Sequence, residues 1–363
     1  MATDATTRAD EPGVLLLDKP EGPTSHDVVG FVRWALGVRQ VGHCGTLDPL
    51  ASGLLVVCVG AATRLVPYLS AVEKVYRARF ALGRSTTTGD REGETIAEAP
   101  VTPAQRAAAA DVLRDMSGVI MLPPPAYSAI KVGGQPAYQR ARRGEAVELA
   151  PRAMEVRAMT DVAIVGEAIE ATCVVSKGTY IRALAEELGR RAGVPAHLAA
   201  LRRLACGALR LDDPRVLPVR VFARLPDLPG APPKYRLGLG EPDDRPPAAR
   251  RDEFGARLAA ARLAPADVLP FPVRTPAELT DLDGLRHGRG VPEERLPAVA
   301  PTLAEGHDEA ARQAVLFPDG VLVVVRLEGR RWRPEKVLPA GSAGPGGGPA
   351  GGAKISAARA RAP

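Results

Sequence analysis

The segment Gly42-His43-Cys44-Gly45-Thr46-Leu47-Asp48-Pro49-Leu50-Ala51-Ser52-Gly53 surrounds one acid with residues that stiffen a loop. Glycines at 42, 45 and 53 permit tight backbone geometry, and Pro49 biases Asp48 towards an extended conformation outside any helix. A carboxylate displayed in this way can act as a nucleophile. Read alone, Asp48-Pro49 more often marks an ordinary turn. Other chemistries lack their signatures. There is no G-x-x-x-x-G-K-[ST], no G-x-G-x-x-G after a strand and no nucleophile elbow. The four cysteines, Cys44, Cys58, Cys173 and Cys206, form no C-x-x-C pair and have no His cluster of zinc-ligand spacing nearby. They are expected to be reduced and mostly buried, with no metal and no cofactor.

Taken whole, the segment closely resembles the signature of the TruB-type tRNA pseudouridine synthases, in which the Asp of G-T-L-D-P is catalytic. Further matches follow in order. GVLLLDKPEGPTS from Gly13 to Ser25 resembles the family's opening motif, and Lys74-Val75-Tyr76 resembles its Tyr-bearing strand. The run from Pro124 to Lys131 is similar to P-P-x-x-S-A-x-K, and Gly178-Thr179-Tyr180-Ile181-Arg182 to G-T-Y-I-R. Leu201-Arg202-Arg203 matches an L-R-R near the end of the catalytic domain. These motifs span about residues 13 to 210. Arg64 stands where Lys is usual and Glu187 where Asp is usual, and the match weakens after about residue 225.

The resemblance implies an enzyme that cleaves the bond between uracil N1 and ribose C1′, turns the base and rejoins it through C5. It implies Asp48 as the catalytic carboxylate and Arg182 as its partner, since a nearby guanidinium favours the charged form and fixes its orientation. Arg182 otherwise reads as a phosphate-binding or surface arginine. Tyr76 is implied as the active-site tyrosine that stacks on the target base, although its pattern alone makes it a core residue. Tyr180 is implied beside the uridine, against a packing role at a helix start. A stacked uridine must be extracted before reaction, and His43 is implied to fill its vacated place. Leu201 is implied to wall the base pocket. Lys19, Arg202 and Arg203 are candidate phosphate contacts, with solvated charge as the alternative.

The elements that must position these residues read as follows. A strand is expected over Val14 to Leu17, then a turn and a helix with Ser25 as N-cap, ending near Gly37. A strand over Leu54 to Val59 follows the Asp48 loop. Val75 to Leu82 alternates, with Tyr76, Ala78, Phe80 and Leu82 on one face. A helix is expected from Thr102-Pro103 to Gly118, two β segments over 154–175 split by Gly166, a helix over Tyr180 to Arg191 and a second short helix around Ala196 to Leu204. Strands and helices mix without βα alternation, which argues for an α+β fold with a mixed, largely antiparallel sheet.

At 363 residues a main body with an appendage is expected. The expected division is a disordered 1–12, a pseudouridine-synthase catalytic domain over 13–225, and a linker or insertion over 226–265 with one helix, Asp252 to Arg262. A small β-leaning unit of the PUA kind over 266–340, with a strand at Gly320 to Leu327, and a flexible basic tail over 341–363 complete it. The polar N-terminus and the lack of a long apolar stretch point away from membranes and towards a cytoplasmic location. The net charge of +6 suits a polyanionic partner, and all but seven of the 48 basic residues are Arg. Residues 177 to 210 concentrate Lys177, Arg182, Arg190, Arg191, Arg202, Arg203 and Arg210 against Glu186 and Glu187. The expected partner is the T-arm of tRNA, modified at uridine 55 by a monomer that needs no obligatory protein partner. A non-catalytic tRNA-binding or folding factor and a guide-dependent synthase are the alternatives.

Overall fold

The computed structural model describes residues 11–128, 130–137, 140, 143, 145, 149–226, 233–242, 245–275, 282–296 and 312–340. The tail over 341–363 and nearly all of the N-terminal stretch lie outside them. The main sheet has eleven strands: β1 (Gly13–Lys19), β2 (Val41–His43), β3 (Ala51–Val59), β4 (Lys74–Leu82), and, after a small hairpin of β5 (Arg84–Thr86) with β6 (Thr95–Glu98), β7 (Gly118–Leu122). A second small hairpin, β8 (Lys131–Val132) with β9 (Gln135–Pro136), separates these from β10 (Arg152–Val165), β11 (Ala168–Val175), β12 (Ala196–Cys206), β13 (Leu209–Arg210), β14 (Leu217–Arg224) and β15 (Tyr235–Leu239). The spatial order is β15-β14-β1-β3-β12-β4-β11-β10-β7. The β1–β14 and β3–β12 pairs are parallel and the others antiparallel, so the α+β fold with a mixed, largely antiparallel sheet is present.

Three helices pack on one face of this sheet, and the first two start on capping boxes. Helix α1 (Ser25–Leu36) is capped by Thr24, whose hydroxyl accepts from the Asp27 amide while the Asp27 carboxylate accepts from the Thr24 amide. Such a box is worth about 1 kcal/mol. The cap is therefore Thr24 rather than the expected Ser25, which leaves the Ser25 hydroxyl available for the loop described below. Helix α2 (Pro103–Arg114) carries the same device at Thr102 and Gln105. It stops at Arg114, short of the expected Gly118, because Gly118 at φ 85° already opens β7 and pairs with Val156. Helix α3 (Ile181–Ala192) ends on left-handed Gly193.

The expected short helix at Ala196 to Leu204 is instead β12, held between β3 and β4 at the centre of the sheet. Within the stretch expected as a linker, β15 extends the sheet, α4 (Pro247–Ala260) packs on α1, and Leu263 bridges back to Val14. Gly255 permits that approach, since a Cβ there would lie 2.8 Å from the Ala35 carbonyl.

The C-terminal part forms a five-stranded sheet of β16 (Val273–Arg274), β17 (Val291–Pro292), β18 (Arg312–Leu316), β19 (Leu322–Glu328) and β20 (Arg331–Leu338), ordered β16-β18-β19-β20-β17. β1 and β3 are buried on both faces, so they read as continuous apolar runs. Leu15, Leu17, Leu55 and Val57 face the helices; Val14, Leu16, Leu54 and Val56 share a second core with Ala314, Leu322, Val324 and Leu338 of the C-terminal sheet.

Candidate active site

The Asp48 loop runs from the end of β2 to the start of β3 and is pinned at several backbone groups. Ser25 Oγ accepts from the Leu47 amide at 2.8 Å and donates to the Leu47 carbonyl at 3.1 Å. The Gly22 amide donates to the Pro49 carbonyl at 2.8 Å, and the Ala51 amide to the Asp48 carbonyl at 3.0 Å. From β12, Arg203 donates to the carbonyls of Gly45, Thr46 and Leu54 at 3.0, 3.4 and 2.7 Å. These bonds leave the loop little freedom, and the Asp48 side chain is 33% exposed.

Against that carboxylate lies Arg182 at the start of α3, only 4% exposed. Its Nε sits 2.9 Å from Asp48 Oδ2, an ion pair whose N–H is not aligned for a hydrogen bond. Its two Nη groups donate to the Thr88 and Tyr127 carbonyls at 3.0 and 2.9 Å. A second carboxylate, buried Asp90, lies 3.7 Å from the same Nε and is fixed by the Thr88 hydroxyl at 2.6 Å. Asp90 was not among the residues singled out from the sequence. The clue to it is spatial, because a bridge to Leu198 of β12 carries its loop to the site.

Tyr76, on β4 opposite Arg203, faces the helix side with Leu201 and Leu47. Burial raises its phenol pKa, with the Arg203 guanidinium opposing, and the Asp48 charge is near enough to add to the rise. Tyr180, at the cap position of α3, is half-buried and its phenol is also raised by burial, with Asp48 and Arg182 both nearby. His43 ends β2, its ring edge-on to His26 at 5.4 Å. Burial, then His26 and Arg203, push its imidazole down to about 4. Leu201 is buried on β12, in register with Ala51 and Ala78. The structure therefore gathers Asp48, Arg182, Tyr76, Tyr180 and Leu201 around one point, with His43 on the same loop system.

The three phosphate candidates behave differently. Lys19 is fully buried and donates to the Pro20 and Pro23 carbonyls at 2.8 and 2.6 Å, its pKa lowered to about 8 by burial against the pull of Asp48. Arg203 is 1% exposed and spends its guanidinium on loop carbonyls. Lys19 thus holds the turn over residues 20–23 and Arg203 the Asp48 loop. Arg202 is accessible but lies on the sheet face opposite Tyr76, beside Arg77, in an ion pair with Asp18 at 2.7 Å. Among the described residues no group of three or more His, Cys, Asp or Glu could hold a metal ion, and no helix is long and apolar enough to cross a membrane. All four cysteines are buried and unpaired.

The fold is that of pseudouridine synthases. The Cbf5 complex with Nop10 and Gar1 superposes with a TM-score of 0.61 at 22% identity, covering 92% of this chain and 87% of that one. Residues 33–181 match the model of the TruB family pseudouridylate synthase N-terminal domain. The tRNA pseudouridine synthase B of Thermobifida fusca is 45% identical over 262 residues, 68% of this chain and 86% of the relative. That of Stutzerimonas stutzeri is 43% identical over 213 residues, 59% of this chain and 70% of the relative. The chain belongs to the TruB family of pseudouridylate synthases.

Proposed function

We propose that this chain isomerises uridine 55 in the T-loop of tRNA to pseudouridine, with Asp48 as the catalytic carboxylate. The observation that carries the reading is the partly exposed Asp48 carboxylate on a loop pinned through Ser25, Gly22 and Arg203, 2.9 Å from the buried Arg182 guanidinium. The reaction conserves atoms and electrons. The bond from C1′ to N1 breaks, a bond from C1′ to C5 forms, the C5 proton leaves and N1 ends protonated, so no oxidant or reductant is consumed.

Asp48 assists at the sugar or base as a nucleophile or proton acceptor. Arg182 holds its orientation, its own position fixed by two backbone carbonyls. Tyr76 stacks on the uracil, Leu201 walls it and Tyr180 lies alongside. Because the reacting carbon is hidden in a stacked loop, the nucleotide is flipped out, and His43 takes its place. His43 suits that role because burial keeps its ring uncharged at neutral pH, so it can stack as a flat ring without bringing in a charge. The five-stranded C-terminal sheet, over 266–340, serves as an RNA-binding unit of the PUA kind. The enzyme acts as a monomer on free tRNA, without cofactor or guide.

The purified chain alone is expected to convert uridine 55 of a tRNA transcript. Asp48→Asn is expected to lose conversion by more than about a thousandfold while binding the transcript within a few-fold of the unchanged chain. Unchanged turnover in that variant, or conversion only after a guide RNA or second protein is added, would overturn the proposal.

A further inference from the structure

Beside the Asp48 site, a separate cavity of about 430 Å³ opens between α1, α4 and the β14–β15 edge. The chain has only 2 Trp, 6 Tyr and 6 Phe, yet Phe31, Trp34, Phe222, Tyr235 and Phe254 all line this one cavity. The rings of Phe31, Trp34 and Phe222 pack on Phe254 at centroid distances of 5.8, 6.4 and 6.0 Å. The Arg250 guanidinium lies 4.9 Å from the Phe222 centroid. Trp34 stays 37% exposed, a large apolar ring left open to solvent.

Two contacts tie this cavity to the catalytic loop. His26 lines its rim and meets the His43 ring. Tyr235 packs at Gly22, where a Cβ would come within 3.3 Å of its hydroxyl, and the Gly22 amide holds the Pro49 carbonyl. Neither Asp48 nor Arg182 lines the cavity, so it is distinct from the place of reaction.

We propose that this cavity receives a second unpaired nucleobase of the same RNA, next to the flipped uridine, stacked on Trp34. The inference rests on the proposed RNA substrate but not on which uridine reacts. A planar base fits better than a phosphate. The walls are mainly aromatic rings; Arg250, stacked on one of them, is buried, and the exposed Arg236 shares the lining with Asp27. It fits better than a peptide because His26, in the cavity lining, meets the ring of His43, the residue proposed to enter the RNA. Its volume falls within the range of about 300–1,000 Å³ usual for specific small-group sites. Aromatic stacking of a base is tolerant of sequence and strong enough to set affinity.

The test uses the full chain and a T-arm hairpin RNA. Trp332 is fully buried, so acrylamide quenching reports Trp34. The hairpin is expected to shift Trp34 emission and to shield it from acrylamide. Trp34→Ala is expected to weaken hairpin binding about tenfold and Trp34→Phe to restore most of it. In a series of hairpins each lacking one loop base, one position is expected to cost the unchanged chain about tenfold and to cost Trp34→Ala nothing more. Trp34 unaffected by a hairpin that is nonetheless converted would sink the cavity proposal and leave the enzyme reading intact. Shielding by RNA without conversion of any uridine would do the reverse. Shielding that grows with protein concentration and needs no RNA would show the cavity to be a contact between copies.

Discussion

Lys19, Lys74, Arg182 and Arg203 are almost wholly removed from water. Each is held by backbone carbonyls, which is the arrangement that makes a buried charge tolerable. Sequence cannot separate such a strut from a phosphate contact, since both are basic residues beside a functional motif. For that reason Lys19 and Arg203 read as phosphate contacts, whereas Asp48, a plain turn residue by itself, stood out only through the resemblance of its whole loop. Asp90 is held locally by Thr88 and the Glu92 amide, but what brings it to the site comes from β12 and α3. His43 allows a test by pH. Its folded pKa is lowered to about 4 from 6.5, so as pH falls through 6.5 the unfolded chain takes up a proton that the folded chain refuses until near 4. Protonation therefore favours unfolding inside that window, and the stability contributed by the neutral ring is progressively lost as pH falls. The melting temperature is expected to drop from pH 7 to pH 5, and to drop less in His43→Gln. Equal drops in the two proteins would remove His43 from the account.

At the scale of elements, the sequence reading failed most clearly at β12. Ala196-His197-Leu198-Ala199-Ala200-Leu201-Arg202-Arg203-Leu204 is rich in strong helix formers, and its leucines recur at helical spacing. Pairing overrides that preference, because β12 runs parallel to β3 and antiparallel to β4 and fills the gap between them. The strand is what places Leu201 beside the site and Arg203 beneath the loop. By contrast, β4 was legible, since Tyr76, Ala78 and Phe80 alternate with Arg77 and Arg79. The β3–β12 contact is so close that only glycine fits at residue 53. Its φ is 101°, and a Cβ would stand 2.3 Å from the Arg203 carbonyl oxygen and 2.6 Å from its amide nitrogen. Gly53→Ala is expected to cost about 3 kcal/mol or more in urea unfolding, because backbone must move on a central strand. It is also expected to lower turnover, since Arg203 carries the loop carbonyls with it. A loss below about 1 kcal/mol would mean the two strands can separate without consequence.

At the scale of the whole molecule, the charge concentration over 177–210 largely disappears as a free patch. Arg182 and Arg203 are buried, Arg190 and Arg191 pair with Glu187, Arg202 with Asp18 and Arg210 with Asp212, while Lys177 stays exposed. Linear counting took Glu187 into account but not the burial of Arg182 and Arg203, nor Asp18, which sheet pairing brings alongside Arg202 from the start of the chain. The β character of the C-terminal part was legible, but its relation to the rest was not. Leu322 and Val324 face Leu16 and Val56 across one apolar core, and the interface edge is closed by Tyr68, which donates to Glu335 at 3.0 Å while Arg312 pairs with the same carboxylate at 2.9 Å. A sheet that completes the core of its neighbour is expected to unfold with it, giving one calorimetric transition. Leu322→Ala removes a side chain only 3% exposed and is expected to cost about 2–4 kcal/mol. Because the core is shared, that cost should appear in the thermal loss of pseudouridine formation as well as in the calorimetric midpoint. Two transitions, with only the smaller one displaced by the substitution and the activity profile unmoved, would instead make the C-terminal sheet an independent module.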